Sequence, residues 1–217
     1  MTQSPASNTD IIYPESDGQP MVDNSKQYRW VVRLRENLRR LYKDQVVCVE
    51  ADMFWYPVEG RNDLKNAPDV FVALGRPDGD RGSYMQWQED NIAPQIVFEI
   101  ISPGNTAESL VRKQEFYVEH GVLELIFYNP DTFDFWAFVR SNTDQSPTLL
   151  MRLNLPWTSP IMRVRFEMTE AGLAVFYPNG APFTDPQTWL DERDQAQQER
   201  DRAWEKLREL GIDPNTL

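Results

Sequence analysis

Two residue types that build many reactive sites are almost missing from this chain of 217 residues, which has one cysteine, Cys48, and one histidine, His120. A single thiol makes no internal disulfide and no metal-thiolate cluster, and it implies no oxidising compartment. A single imidazole excludes zinc sites built on several histidines and leaves any serine or cysteine triad hanging on one residue. No apolar run approaches the roughly 20 residues that cross a bilayer. The start, Met1-Thr2-Gln3-Ser4-Pro5, has neither a basic stretch nor an apolar core, so a soluble, cytoplasmic protein with no membrane partner is expected. Positive charge is also short: 22 Lys+Arg stand against 34 Asp+Glu, for a net charge of −12. That balance disfavours loose wrapping of nucleic acid, whose affinity comes from Lys and Arg displacing counterions. It leaves room for a small acidic metal site acting on nucleic acid. What the chain does have is apolar bulk, 41% hydrophobic and 12% aromatic residues, enough to close a core and to exclude wholesale disorder.

Residues 1–24 carry Ser, Thr, Asn, Asp, Gly and Pro without apolar pattern and read as a flexible lead-in. Order is expected from 25 to 184 as one domain, with 185–217 as an appended helix. Asn24 or Ser25 caps a helix in which Val31, Leu34, Leu38 and Leu41 form one apolar stripe. Alternation over Val47 to Met53 predicts a strand, and Pro68 to Leu74 a second one opened by proline. Gly75 to Asn91 reads as a long, partly structured connection. Gln95 to Ile101 is apolar on both faces and suits a central strand. Asn105 with Glu108 resembles a capping box for a helix that runs to Glu119 and closes at His120-Gly121. Strands follow over Leu123 to Tyr128, Phe133 to Val139 and Leu173 to Tyr177. The alternation of helices and strands predicts an α/β mixed central sheet flanked by helices. Asp185-Pro186 opens the C-terminal helix, which ends at Gly211. Its seam through Trp189, Ala196, Ala203, Leu207 and Leu210 is interrupted by Arg193 and Arg200, so it reads either as a weak coiled coil or dimer arm, or as a solvated helix folded back.

Glu99 is the most informative position for chemistry, because a carboxylate inside a strand otherwise apolar on both sides is costly unless a cation or metal binds it. Asp69, directly after Pro68, would join it if the sheet brings these strand ends together, giving paired carboxylates suited to a hard ion such as Mg²⁺. On the following helix Leu110, Lys113 and Tyr117 share a face, so Lys113 points at the sheet. The same residues also suit a plain buried ion pair, Glu99 with Lys113, beside an Asp69 that caps a turn. Glu50 and Asp52 read as surface-strand carboxylates, His120 as a helix-end residue and Cys48 as a small core residue. Gly75-Arg76-Pro77-Asp78-Gly79 lacks the lysine and spacing of a phosphate loop.

An ordered set of short segments carries a family resemblance: Pro68-Asp69-Val70-Phe71-Val72, Arg81-Gly82-Ser83-Tyr84 with Trp87, Pro94 leading to Val97-Phe98-Glu99-Ile100-Ile101-Ser102-Pro103-Gly104-Asn105, Lys113 with Tyr117, Gly121-Val122, and Asn129-Pro130. Together they resemble the Uma-type putative restriction endonuclease family of the PD-(D/E)XK nuclease superfamily, as does the closing Leu207 to Pro214 segment. The resemblance implies a restriction-endonuclease-like, four-stranded mixed central sheet with flanking helices, and a metal-dependent site that cleaves phosphodiesters of nucleic acid, with DNA the expected substrate and a homodimer the expected assembly. It implies Asp69, Glu99 and Lys113 as the catalytic residues, and Asp69, Glu99 and the Ile100 carbonyl as ligands of Mg²⁺ or Mn²⁺. Ile101 stands where the superfamily formula has lysine, which the family resemblance moves to Lys113. Ser109 stands where many members carry an aspartate. Glu36, the nearest helix-borne acid, lies opposite the apolar stripe and is left out. Two rivals stay open: a nuclease-like scaffold that no longer cuts and acts in binding or assembly, and a hydrolase of small phosphorylated compounds.

Overall fold

A six-stranded mixed sheet organises the chain in this computed structural model, which describes residues 11–15 and 24–209. In chain order the elements are α1 (Ser25–Leu41), β1 (Val47–Glu50), β2 (Trp55–Tyr56), β3 (Val70–Leu74), β4 (Tyr84–Met85), β5 (Ile96–Ile100), α2 (Ala107–Glu119), β6 (Glu124–Asn129), β7 (Asp134–Val139), β8 (Thr148–Met151), β9 (Trp157–Thr158), β10 (Arg165–Thr169), β11 (Gly172–Phe176) and α3 (Pro186–Glu209). The central order is β1-β3-β5-β6-β7-β8, with β5 and β6 parallel and every other neighbour antiparallel. The crossover between the parallel pair is α2, as such a connection requires. The mixed sheet with flanking helices and a C-terminal helix is the architecture expected from the sequence, but it has six strands rather than four. β8 was not anticipated, and neither were β9 and β10, which join β11 in a separate three-stranded sheet.

Each face of the sheet has its own core. On one, the α1 stripe of Val31, Leu34 and Leu38 packs on Val70, Val72, Ile96, Phe98 and Ile100, with Phe166 and Val175 of the small sheet alongside. On the other, Phe116 and Tyr117 of α2 pack with Trp55 on Phe71, Val97, Leu125 and Phe127. Asn24 caps α1 by accepting from the N–H groups of Lys26 and Gln27. β1 is shorter than its alternation suggests, because Asp52 turns the chain with a φ of 49°.

The α2 cap differs from the expected one. Thr106 and Ser109 form the capping box, while Asn105 is taken up by the backbone N–H and hydroxyl of Ser102. Ser109 therefore has a structural duty at its position. α3 leaves the domain with Asp185 bonded to Arg33 and Arg40 stacked on Trp189; beyond Leu190 almost every described position faces solvent. Of the lead-in, residues 11–15 lie against the β2 region, where Tyr56 donates to the Pro14 carbonyl at 2.6 Å. The rest of the lead-in, and the Leu210-Gly211 helix end with the Ile212-Asp213-Pro214 segment, lie outside the described residues.

Candidate active site

The register of β3 on β5 pairs Val70 with Phe98, Phe71 with Val97 and Val72 with Ile96. Continued by one residue, it sets Asp69 opposite Glu99, and opposite residues of an antiparallel pair share a face. Both acids therefore stand on the α2 side, at the end of β5 where the chain leaves for α2. Asp69 is buried, and its Oδ2 accepts from the Ile100 backbone N–H at 2.6 Å. Glu99 is 2% exposed.

α2 supplies the groups that make that burial tolerable. Lys113 and Tyr117 are one helical turn apart, so they reach the sheet side by side. The Lys113 Nζ lies 2.6 Å from Glu99 Oε2, and the Tyr117 hydroxyl donates to Oε1 at 2.6 Å. Each oxygen of the carboxylate thus has its own donor, one charged and one neutral. Tyr117 is itself fixed by stacking on Trp55, with the rings 2° from parallel. The Lys113 side chain is 24% exposed, so the charged end of the site opens toward solvent.

The electrostatics are those of two acids sharing one strong cation. Burial, and next the charge of Glu99, push Asp69 from 3.8 up to about 7, against the opposing pull of Lys113 and of the Ile100 and Gln27 donors. Burial alone would depress Lys113; the charges of Glu99 and Asp69 overcome it and hold the ammonium above its ordinary range. Burial and the Glu99 charge raise the Tyr117 phenol well above its usual value, so it stays a donor. A second cation would relieve this arrangement.

The structure brings Asp69, Glu99, Lys113 and the backbone of Ile100 together, all from positions the sequence singles out. Glu36 is bonded to Arg35, and Glu50 also takes the Arg35 guanidinium. His120 bonds the Phe116 carbonyl through Nδ1 and packs on Trp55, a helix-end role. Cys48 is buried, and burial pushes its thiol up to about 12. Two neighbours escaped the sequence reading. Tyr117 was placed on the right face without a partner. Gln27 has no place in the sequence reading, yet its Nε2 donates to the Ile100 carbonyl at 3.1 Å and reaches Asp69 Oδ1 at 3.5 Å. Its place one turn before Val31, on the buried stripe, was the available signal.

Among the described residues no three His, Cys, Asp or Glu side chains form a group able to hold a metal ion. The oxygen set of Asp69, Glu99 and the Ile100 carbonyl suits a hard dication of the kind that takes one or two carboxylates and completes its shell with water and phosphate.

The Uma2 family model, described as "Putative restriction endonuclease", matches residues 3–167. That span includes Gln27, Asp69, Glu99, Lys113 and Tyr117 and stops before the Leu207 to Pro214 segment. A crystal structure of a putative nuclease belonging to DUF820 from Anabaena variabilis ATCC 29413 is similar at 14% identity and a TM-score of 0.47, over 67% of this chain and 77% of that one. No curated protein matches. Since the family model extends over well more than half of the sequence and through the whole acid-lysine cluster, this chain belongs to the Uma2 family of putative restriction endonucleases.

Proposed function

We propose that the protein is a metal-dependent PD-(D/E)XK-type endonuclease that hydrolyses phosphodiester bonds of nucleic acid, with DNA as substrate. The observation that carries this reading is a buried Glu99 set opposite Asp69 and tied to Lys113 at a rim open to solvent. In this reading Asp69, Glu99 and the Ile100 carbonyl hold Mg²⁺ or Mn²⁺. When bound, such an ion supplies charge neutralisation at the phosphate and acidity to a water. Lys113 orients the attacking water and adds fixed positive charge beside the phosphate, where a dry site makes it strongest. Tyr117 keeps Glu99 facing the site. A homodimer would offer two such sites to the two strands of a duplex, a symmetry that duplex cutters commonly use.

One observation favours a second reading, a scaffold that no longer cuts: the Lys113 ammonium is bonded to Glu99 at 2.6 Å, as in a plain ion pair. Two measurements separate the readings. Titration with Mg²⁺ or Mn²⁺ should raise the melting temperature of the wild type and not of Glu99→Ala. The wild type should then cleave plasmid or single-stranded DNA, with Lys113→Ala slower by about 10²–10³. Identical metal responses in wild type and Glu99→Ala would remove the enzyme reading.

A further inference from the structure

The inner face of α1 is apolar at Val31, Leu34 and Leu38, yet its first turn presents an amide to the sheet. Gln27 is 6% exposed. Its backbone N–H is satisfied by Asn24 Oδ1 at 2.9 Å, so the helix cap does not need its side chain. A polar group in that place costs desolvation unless it is matched. Its Nε2 donates to the Ile100 carbonyl at 3.1 Å and reaches Asp69 Oδ1 at 3.5 Å, two of the three oxygen groups assigned above to a cation. The amide hydrogens face the oxygens that an ion would face. Lys113 does the same for Glu99, so each acid of the site has a nitrogen donor beside it.

We propose that Gln27 is a further oxygen donor to the cation of the Asp69–Glu99 site, its amide nitrogen standing in for the ion until the ion binds. The inference rests on the reading of that site as a metal site. A primary amide carries a donor end and an acceptor end on one planar group, and a half-turn about its last side-chain bond exchanges them. Turned one way, the group bonds the carbonyl and the carboxylate; turned the other, it offers a neutral hard oxygen of the kind that dications accept from Gln. Neutrality matters in this place. A glutamate would add a third buried negative charge beside Asp69 and Glu99, whereas glutamine adds coordination at no charge and leaves the metal-free fold intact.

The test uses the full chain and Mn²⁺ alone, with affinity read by the resonance of free Mn²⁺ and by the metal-induced shift in melting temperature. Gln27→Met keeps the volume and lacks the oxygen; it is expected to bind Mn²⁺ about tenfold more weakly than the wild type. Gln27→Glu is expected to lower the melting temperature of the metal-free protein, to bind Mn²⁺ at least as tightly as the wild type, and to gain a larger metal-induced shift. Affinity of Gln27→Met within about twofold of the wild type would overturn the inference and leave the metal site standing. So would a loss of affinity in Gln27→Glu, which also decides the matter if Gln27→Met does not fold. Absence of Mn²⁺ binding in the wild type would overturn both together.

Discussion

Two carboxylates lie buried on adjacent strands of the central sheet, Glu99 near the end of β5 and Glu124 at the start of β6, at 2% and 0% exposure. Among the described residues Glu124 accepts from neutral donors: the Ser159 hydroxyl at 2.5 Å and the Ile161 backbone N–H at 3.1 Å. Burial raises its pKa, and those two bonds partly offset the rise. It pins the segment before β10 to the sheet. Glu99 has a lysine, a tyrosine and a second acid across the strand pair. Burial of a carboxylate therefore does not by itself single out the proposed site; its company does. Glu124, at the other end of this parallel strand pair, is satisfied by neutral donors and acts as a structural tie, whereas in the proposed reading Glu99, with a lysine and a second acid beside it, exchanges partners.

Substitution at both positions should pull this contrast apart. Glu99→Gln is expected to lower nucleic-acid cleavage with Mg²⁺ or Mn²⁺ by about 10³ or more, whereas Glu124→Gln should leave the rate per folded molecule within about twofold. Cleavage assays normalised to the folded fraction decide between them; equal losses would erase the distinction. On stability the order reverses in kind. Glu124→Ala leaves Ser159 and Ile161 donors unmatched in the core and should cost about 1–3 kcal/mol in denaturant unfolding, without altering any metal response.

The pH dependence sharpens the comparison. The folded value for Asp69 is about 7, above its ordinary 3.8, so the metal-free fold binds a proton that the unfolded chain releases. Its contribution to stability is therefore complete below the ordinary value and is lost as pH rises through about 7. Cation binding runs the other way, since the ligand must lose that proton. Mn²⁺ affinity should fall about tenfold for each pH unit below about 7. Glu99→Gln removes the second-largest cause of the rise and should move the stability loss to lower pH. Glu124 shifts in the same direction, but Glu124→Gln should leave the pH slope of metal affinity unchanged. The smallest effect is expected from Tyr117→Phe: about 1–2 kcal/mol of stability from the lost hydrogen bond to Glu99, with the tilt of Glu99 reported by a modest fall in Mn²⁺ affinity.

Most elements near the site were legible because their patterns are strong. The α1 stripe, the run from Gln95 to Ile101 and the helix ending at Gly121, with its φ of 107°, all carry local signals that tertiary context does not override. β8 was not legible: Leu149 and Met151 are 51% and 53% exposed, so its residues do not alternate between core and solvent as a half-buried strand does. The α2 cap was misplaced because Asn105 and Thr106 are both good capping residues, and only the fold shows that Ser102 claims the first. Glu99 is legible by its desolvation cost inside an apolar strand, whereas Glu124, outside the site and at the start of its strand, carries no such signal. Gln27 was invisible as a partner because its bonds reach residues 42 and 73 positions away.

By itself the sequence determined which residue types could react and which could not: one thiol, one imidazole, two acids flanked by apolar strand residues, and a lysine on the inner face of a helix. Periodicity and desolvation cost act over a few neighbouring residues, so they can be read along the chain. Only the tertiary structure decided that Asp69 stands across from Glu99, that Tyr117 and Lys113 divide the two oxygens of Glu99 between them, and that Gln27 closes the group from the far helix. Those contacts depend on strand register and helix docking, which are set by the packing of the whole sheet and have no signature in any single stretch of chain.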